Sequence, residues 1–120
     1  MQCKNILIID NEPCIRDIFS HFLSVEQGFN VQTAGTNDEA VKYLDMDVFD
    51  LILADVHMPG MSFSDFLARV LSHRTHSDCP IIAVTGVPES IEVQDRLKIH
   101  GVIEKPFVPG VLLQMVRDTL

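Results

Sequence analysis

The stretch DLILADVHMPG, residues 50 to 60, contains the strand around which we expect the rest of the chain to fold. An apolar run from Leu51 to Ala54 leads to Asp55, and the turn signal Met-Pro-Gly follows at residues 58–60. A continuous apolar run that ends at a turn is typical of a strand buried on both faces of a parallel sheet. Because open α/β sheets bind ligands at the carboxyl ends of their strands, Asp55 lies where a functional carboxylate is expected.

The composition indicates one globular domain. The chain has 120 residues, of which 47% are hydrophobic, enough for a single compact core. The start lacks a signal peptide and no apolar run approaches the roughly 20 residues that span a bilayer, so we expect a cytoplasmic protein without membrane contact. The net charge of −8 argues against direct nucleic-acid binding, because phosphate backbones attract basic surfaces. Cys3, Cys14 and Cys79 show no CxxC spacing, which indicates reduced, non-catalytic thiols.

Strand and helix patterns alternate along the whole chain. Besides the central strand, the apolar runs predict strands at Lys4–Ile9, Phe29–Ala34, Pro80–Thr85 and Gly101–Glu104. Helices are predicted from Asn11-Glu12-Pro13 to Gly28 with Asn11 as N-cap, after the caps Thr36 and Ser62, from Pro88 to about His100, and from Pro109. This alternation predicts an α/β fold, a doubly wound five-stranded parallel sheet with five helices on both faces. We expect the strand order 2-1-3-4-5, one of the two common doubly wound orders.

Four polar side chains follow the predicted strands at their carboxyl ends. Asp10 ends the first strand, Asp55 the third and Thr85 the fourth, and Lys105 follows the fifth. In the expected order the first and third strands are neighbours, so the two carboxylates meet and repel unless a cation lies between them. Mg²⁺ suits such oxygen ligands. A lysine and a hydroxyl complete the groups that hold a phosphoryl group on a nucleophilic carboxylate.

The segments IIDNEP, DLILADVHMPG, PIIAVTG and EKPF, in this order and at these separations, resemble the receiver domain of bacterial two-component response regulators. The resemblance covers essentially the whole chain. It implies that Asp55 accepts a phosphoryl group from a sensor histidine kinase, a phosphotransfer protein or a small phosphodonor. It also implies that Thr85 is the phosphate-sensing hydroxyl, that Lys105 is the lysine of the site, and that the bond before Pro106 is cis.

The resemblance further implies a Mg²⁺ site made by Asp10, Asn11, Asp55 and the carbonyl of His57. The family usually has a second acidic residue where this chain has Asn11. Because an amide offers an oxygen without a charge, we expect weaker Mg²⁺ binding, for which Glu12 offers one compensation.

Three further positions bear on how the domain switches. The family usually has Gly at Phe63, and a bulky side chain there is expected to cover part of the site. It usually has Tyr or Phe at Val102, which moves with Thr85, so an aromatic switch is absent here. In the family the positions of His57 and Val87 flank the path of the hydrolytic water, so we expect apolar Val87 to lengthen the lifetime of the phosphoryl group.

We expect one receiver domain over residues 1–120, either as a whole protein or as a part of a longer protein with a C-terminal output domain. By resemblance, we expect a signalling domain that phosphorylates and dephosphorylates itself rather than a turnover enzyme. By resemblance, partners or a second copy meet the face of helix four, strand five and helix five, for which the candidates are Ile91, Val93, Val102 and Val108.

Two alternatives remain open at this stage. One is an interaction module that no longer uses phosphate, and the other is a small hydrolase with an aspartyl-phosphate intermediate. The hydrolase is disfavoured because His57 stands where such enzymes usually carry an acid. His73 and His76 have a spacing that suits a metal, but the polar loop around them favours solvent exposure.

Overall fold

The computed structural model describes residues 3–25 and 28–120, in which five parallel strands alternate with five α-helices. The elements are β1 (Lys4–Ile9), α1 (Pro13–Ser24), β2 (Phe29–Ala34), α2 (Asn37–Met46), β3 (Leu51–Asp55), α3 (Phe63–Leu71), β4 (Ile81–Thr85), α4 (Val93–Arg96), β5 (Gly101–Glu104) and α5 (Pro109–Thr119). The sheet order is β2-β1-β3-β4-β5 with every pair parallel, which confirms the fold class and the strand order expected from the sequence.

The hydrophobic core has two halves, one on each face of the sheet, because successive side chains of a strand point to opposite faces. On one face Phe19 of α1 and Leu112 of α5 belong to a cluster with Leu53. On the other face Phe66 of α3 belongs to a cluster with Ile52. Every residue of β3 and β4 is buried, as expected for strands covered by helices on both sides.

The N-terminal caps of α2 and α3 follow the sequence prediction. The hydroxyls of Thr36 and Ser62 each accept a hydrogen bond at 3.0 Å from the backbone N–H three residues on. These bonds satisfy N–H groups that have no partner inside the helix. Within the described part of the chain, no helix combines the length and the apolar character needed to cross a bilayer.

The prediction that Asn11 caps the first helix is wrong. The helix begins at Pro13, its N-cap residue is Glu12, and no side chain caps it. The carboxylate of Asp10 instead accepts a hydrogen bond from the Glu12 N–H at 2.9 Å. Asp10, which we expected only as a residue of the site, therefore also stabilises the turn that leads into α1.

The long fourth helix predicted from Pro88 to about His100 is also wrong. A 3-10 turn, Pro88–Ser90, is followed by the one-turn helix α4. Between them Ile91 is extended, at φ −74° and ψ 124°, and only 4% of it is exposed. Burying this side chain in the core takes the backbone out of the helical conformation. Leu97, which was expected on the helix, is 85% exposed and contributes nothing to a buried stripe.

Candidate functional site

The carboxyl edge of the sheet brings together Asp10, Asp55 and Lys105. The ammonium Nζ of Lys105 donates to Asp10 Oδ2 at 2.7 Å and to Asp55 Oδ2 at 3.1 Å. The two carboxylate side chains are 1% and 6% exposed, and the lysine side chain is 20% exposed. Each of the three lies two positions beyond a core residue of the α1 and α5 face, so the alternation along β1, β3 and β5 directs them to the same side.

The backbone holds these side chains in place from several directions. The Lys105 N–H donates to the carbonyl of Thr85 at 2.9 Å, which extends the β4–β5 ladder to the site. The Asp10 N–H donates to the carbonyl of Ala34 at 3.1 Å. Arg16 of α1 donates from Nη1 to the Asp10 carbonyl at 2.6 Å, a contact that the sequence pattern does not predict. The Lys105–Pro106 bond is cis, as expected.

Burial and three neighbouring groups together set the pKa of Asp55. Burial is the largest influence and raises its pKa above the ordinary value of 3.8. The His57 N–H, which donates to Asp55 Oδ1 at 2.9 Å, and the charge of Lys105 lower the pKa, while the charge of Asp10 raises it. The net direction is upward, so this pocket favours adding positive charge or removing negative charge at Asp55.

Lys105 responds to the same neighbours with the opposite charge. Burial alone would lower its pKa, but the hydrogen bond to Asp10 and the charge of Asp55 outweigh burial and raise the pKa above 10.5. The lysine is therefore fully protonated at neutral pH. One cation faces two carboxylates, which leaves a negative excess in the pocket.

That negative excess and the oxygen ligands fit Mg²⁺. Among residues 3–25 and 28–120, no three His, Cys, Asp or Glu side chains are grouped for a metal ion. Mg²⁺ does not require such a group, because it usually binds one or two carboxylates and keeps several waters. Asp10 and Asp55 supply the carboxylates. The backbone of His57 lies beside Asp55, whereas the side chain of Asn11 is exposed.

Thr85 is completely buried at the end of β4, next to Val84, the register partner of Asp55. Its hydroxyl accepts a hydrogen bond at 3.0 Å from the N–H of Val87. Thr85 thus lies at the same edge as Asp55, but its hydroxyl is bonded to its own loop rather than to the carboxylate.

The residues that depart from the family pattern lie in different environments. Phe63 is 7% exposed and belongs to the core cluster of the α2 and α3 face. Val102 is half-buried and packs against the same cluster. Val87 is 44% exposed at the mouth of the β4–α4 connection. Of the other partner-face candidates, Ile91 is core, while Val93 and Val108 are 73% and 62% exposed.

The exposure expected for the two loop histidines is wrong for His76, which is 0% exposed. Its Nε2 accepts from the Phe49 N–H at 3.0 Å, so its proton lies on Nδ1, which is 3.1 Å from Nδ1 of His73. His73 in turn contacts Asp45 through Nε2 at 2.9 Å. Because the acceptor and donor roles of His76 are both taken, this chain of hydrogen bonds leaves no lone pair for a metal.

The sheet order and the acidic, lysine-containing carboxyl edge define a doubly wound domain of the flavodoxin-like class. The sequence model of the protein family described as the response regulator receiver domain matches residues 6–117 of this chain. The chain therefore belongs to the receiver domain family of two-component systems.

Known relatives agree with this assignment. The chain is 28% identical over 120 residues to the probable transcriptional regulator ycf29 of Pyropia yezoensis, covering 96% of this chain and 52% of the relative, so it spans about half of that protein. The structure of the chemotaxis response regulator CheY4 of Vibrio cholerae aligns with a TM-score of 0.90 at 30% identity, over 99% of this chain and 100% of that one. The response regulator TrrA of Thermotoga maritima, determined in complex with Mg²⁺-BeF, aligns at 0.86 with 26% identity, over 98% and 99% of the chains.

Proposed function

We propose that Asp55 accepts a phosphoryl group from a histidine kinase, a phosphotransfer protein or a small phosphodonor. The observation that carries this proposal is the contact of one Lys105 ammonium with two buried carboxylates, of which Asp55 has a raised pKa. Such a pocket holds a cation next to an ionised nucleophile and keeps one charge uncompensated. A purely structural ion pair has no need of the second carboxylate.

The transfer itself is a substitution at phosphorus. A carboxylate oxygen of Asp55 attacks in line, an O–P bond forms, and the P–N bond to a donor imidazole or the P–O bond to acetate breaks. The bonding electrons leave with the imidazole nitrogen, which takes a proton from water, or with acetate, which needs none. Lys105 moves from Asp55 Oδ2 to a phosphoryl oxygen, and Thr85 turns its hydroxyl to donate to another.

Asp10, Asp55, the His57 carbonyl and Asn11 would hold Mg²⁺ at this edge. When bound, the ion neutralises charge that accumulates on the phosphoryl oxygens in the transition state. Asp10 is already held at the site by two hydrogen bonds, from the Glu12 N–H to its carboxylate and from Arg16 to its backbone carbonyl. Because Asn11 brings no charge, the affinity for Mg²⁺ is lower than a third carboxylate at this position would give.

The wider role follows from the family. We propose a cytoplasmic domain that alternates between two states and presents α4, β5 and α5 to an output domain, a partner protein or a second copy, with Val93 and Val108 as the exposed apolar contacts. Apolar Val87 slows hydrolysis of the phosphoryl group. An output domain following residue 120 is part of this proposal.

An interaction module that does not use phosphate is the second candidate. The exposed Asn11 and the packing of Val102 in the core favour it, because neither supplies the group that the family uses at that position. The contact of Lys105 with Asp55 opposes it.

Phosphoryl uptake separates the two candidates. The protein is incubated with acetyl phosphate and Mg²⁺, and its intact mass is followed over time. We expect the wild type to gain one phosphoryl group per chain. When Mg²⁺ is chelated before acetyl phosphate is added, the wild type should gain none, and Asp55→Asn should gain none under either condition.

Asp65→Asn is the matched control, because Asp65 is an exposed carboxylate on α3. It should take up phosphate like the wild type. A wild-type protein that gains no mass at saturating Mg²⁺ would leave the interaction module as the function.

A further inference from the structure

A continuous chain of hydrogen bonds leads from the carboxylate of Asp55 to the hydroxyl of Thr85 through the two loops above the site. The His57 N–H donates to Asp55 Oδ1 at 2.9 Å, and Nε2 of the same histidine lies 3.1 Å from Ser90 Oγ. Ser90 Oγ donates to the carbonyl of Val87 at 2.6 Å, and the Val87 N–H donates to Thr85 Oγ1 at 3.0 Å. The first loop follows β3 and the second contains the 3-10 turn.

The direction of each bond in this chain is fixed by the available protons. A serine hydroxyl has one proton, and that of Ser90 is donated to Val87. Ser90 Oγ therefore accepts from His57, so the ring carries a proton on Nε2. The Ser90 N–H also donates to the Val87 carbonyl, at 2.9 Å. Ser90 and Val87 consequently move together as one turn.

We propose that the hydrogen bond between His57 and Ser90 is a latch that holds the Pro88–Ser90 turn in its unphosphorylated arrangement. This proposal rests on the function proposed above for Asp55. When Thr85 turns its hydroxyl toward a phosphoryl group, the Val87 N–H loses its acceptor. The turn then shifts, Ser90 separates from His57, and the segment leading into α4 is released.

The latch accounts for switching in a domain that has Val102 in place of an aromatic residue. Val102 is half-buried against the core, and its side chain has no polar group to follow Thr85. The turn, in contrast, is bonded to Thr85 on one side and leads to exposed Val93 on the other. His57 and Ser90 are positioning residues in this mechanism, since they act on Thr85 and the turn rather than on the phosphoryl group.

Three measurements test the latch, two by NMR and one by phosphoryl uptake. Long-range ¹H–¹⁵N spectra of the imidazole should show the Nε2–H tautomer for His57. In Ser90→Ala, the amide signals of residues 87–99 should move along the line that joins the free wild type to its beryllofluoride complex. Phosphoryl uptake from acetyl phosphate should rise about three- to tenfold, the range for loss of the bond to His57, because the Val87 carbonyl keeps its bond from the backbone N–H of residue 90.

The controls separate the latch from a general change in the turn. Ser90→Thr retains the hydroxyl and should behave as the wild type, as should Glu89→Gln, a change at an exposed neighbour in the same turn. The double variant His57→Phe/Ser90→Ala should take up phosphate no faster than Ser90→Ala alone, because both changes remove the same bond.

The outcomes distinguish the two proposals. If wild-type Asp55 takes up a phosphoryl group while Ser90→Ala keeps wild-type amide signals and a wild-type rate, the latch is wrong and the phosphorylation site stands. The Nδ1–H tautomer of His57, or additive effects in the double variant, also overturn the latch. A wild type that never forms an adduct overturns the proposed function and the release step with it.

Discussion

The two edges of the sheet both bury ionisable side chains, but they satisfy them in different ways. At the amino edge, Asp45, His73 and His76 form one chain of hydrogen bonds that ends on the Phe49 N–H. Each of the two histidines has its donor and its acceptor matched. At the carboxyl edge, the Lys105 ammonium contacts two buried carboxylates, so one negative charge remains without a counter-charge.

The difference separates structural polar groups from those available for chemistry. A buried polar group whose bonds are all made stabilises one arrangement and has nothing left to bind. A buried group whose charge is only partly balanced retains affinity for a cation or for a group that removes charge. Burial alone would have marked both edges as functional, and only the balance of charge distinguishes them.

Removing the cation of the carboxyl edge should have the largest effect on stability. Lys105→Met leaves Asp10 and Asp55 buried without their shared partner, so we expect a loss of about 3 kcal/mol in the free energy of unfolding in the presence of EDTA. Urea unfolding measures this change. Lys42→Met, at an exposed lysine, is the control and should be neutral. Equal stabilities for the two variants would contradict the charge imbalance assigned to this edge.

Breaking the chain of hydrogen bonds at the amino edge should have the next largest effect on stability. His76→Phe keeps a ring but leaves the Phe49 N–H buried without an acceptor, so we expect a loss of about 2 kcal/mol. Phosphoryl uptake on Asp55 should be unchanged, because the hydrogen-bond partners described for His76, Phe49 and His73, both lie at the amino edge. His21→Phe, at an exposed histidine, is the matched control. A drop in uptake with His76→Phe at full folding would show that the edges are not independent.

Adding a charge to the carboxyl edge should sharpen the contrast further. Asn11→Asp should raise the affinity for Mg²⁺ about tenfold, equivalent to about 1.4 kcal/mol, because a third charged ligand joins Asp10 and Asp55. Calorimetric titration measures the affinity, and Asn30→Asp at an exposed site on β2 provides the control. An unchanged affinity would remove Asn11 from the ligand set.

The two edges should also respond to pH with opposite signs. Burial lowers the pKa of His76 below 6.5, with a smaller contribution from His73. Its share of the stability is therefore complete above pH 6.5 and is lost as the pH falls toward the folded pKa. The pKa of Asp55 is raised above 3.8, so its share is complete below pH 3.8 and is lost as the pH rises through the folded pKa.

Each slope should stay below about 1.4 kcal/mol per pH unit, the limit for one proton. Urea unfolding between pH 4 and 8 measures both slopes, since His76→Phe should remove the first and Asp55→Asn the second. A wild-type slope that neither variant alters would assign the pH dependence to other groups.

The fold and the members of the carboxyl edge could be predicted because they depend on local pattern. The apolar runs, the turn residues and the caps at Thr36 and Ser62 are written in consecutive residues, and parallel topology then places Asp10, Asp55 and Lys105 together. The cis bond before Pro106 followed from the family resemblance.

The errors come from residues whose role depends on distant parts of the chain. The fourth helix failed because Ile91 enters the core, which no neighbouring residue signals. His76 looked exposed because its loop is polar, yet its partner Phe49 lies 27 residues away in the sequence. Ser90 gave no signal at all, since its bond to His57 joins two loops 33 residues apart.

The most direct test of the account is to locate the phosphoryl group itself. Protein treated with acetyl phosphate and Mg²⁺ is reduced with borohydride, which converts an acyl phosphate of aspartate to homoserine, and is then digested and sequenced by mass spectrometry. Phosphorylation of Asp55 predicts homoserine at position 55 and unmodified aspartate at position 10. Homoserine at any other position, or a phosphoryl group retained on a histidine, would contradict it.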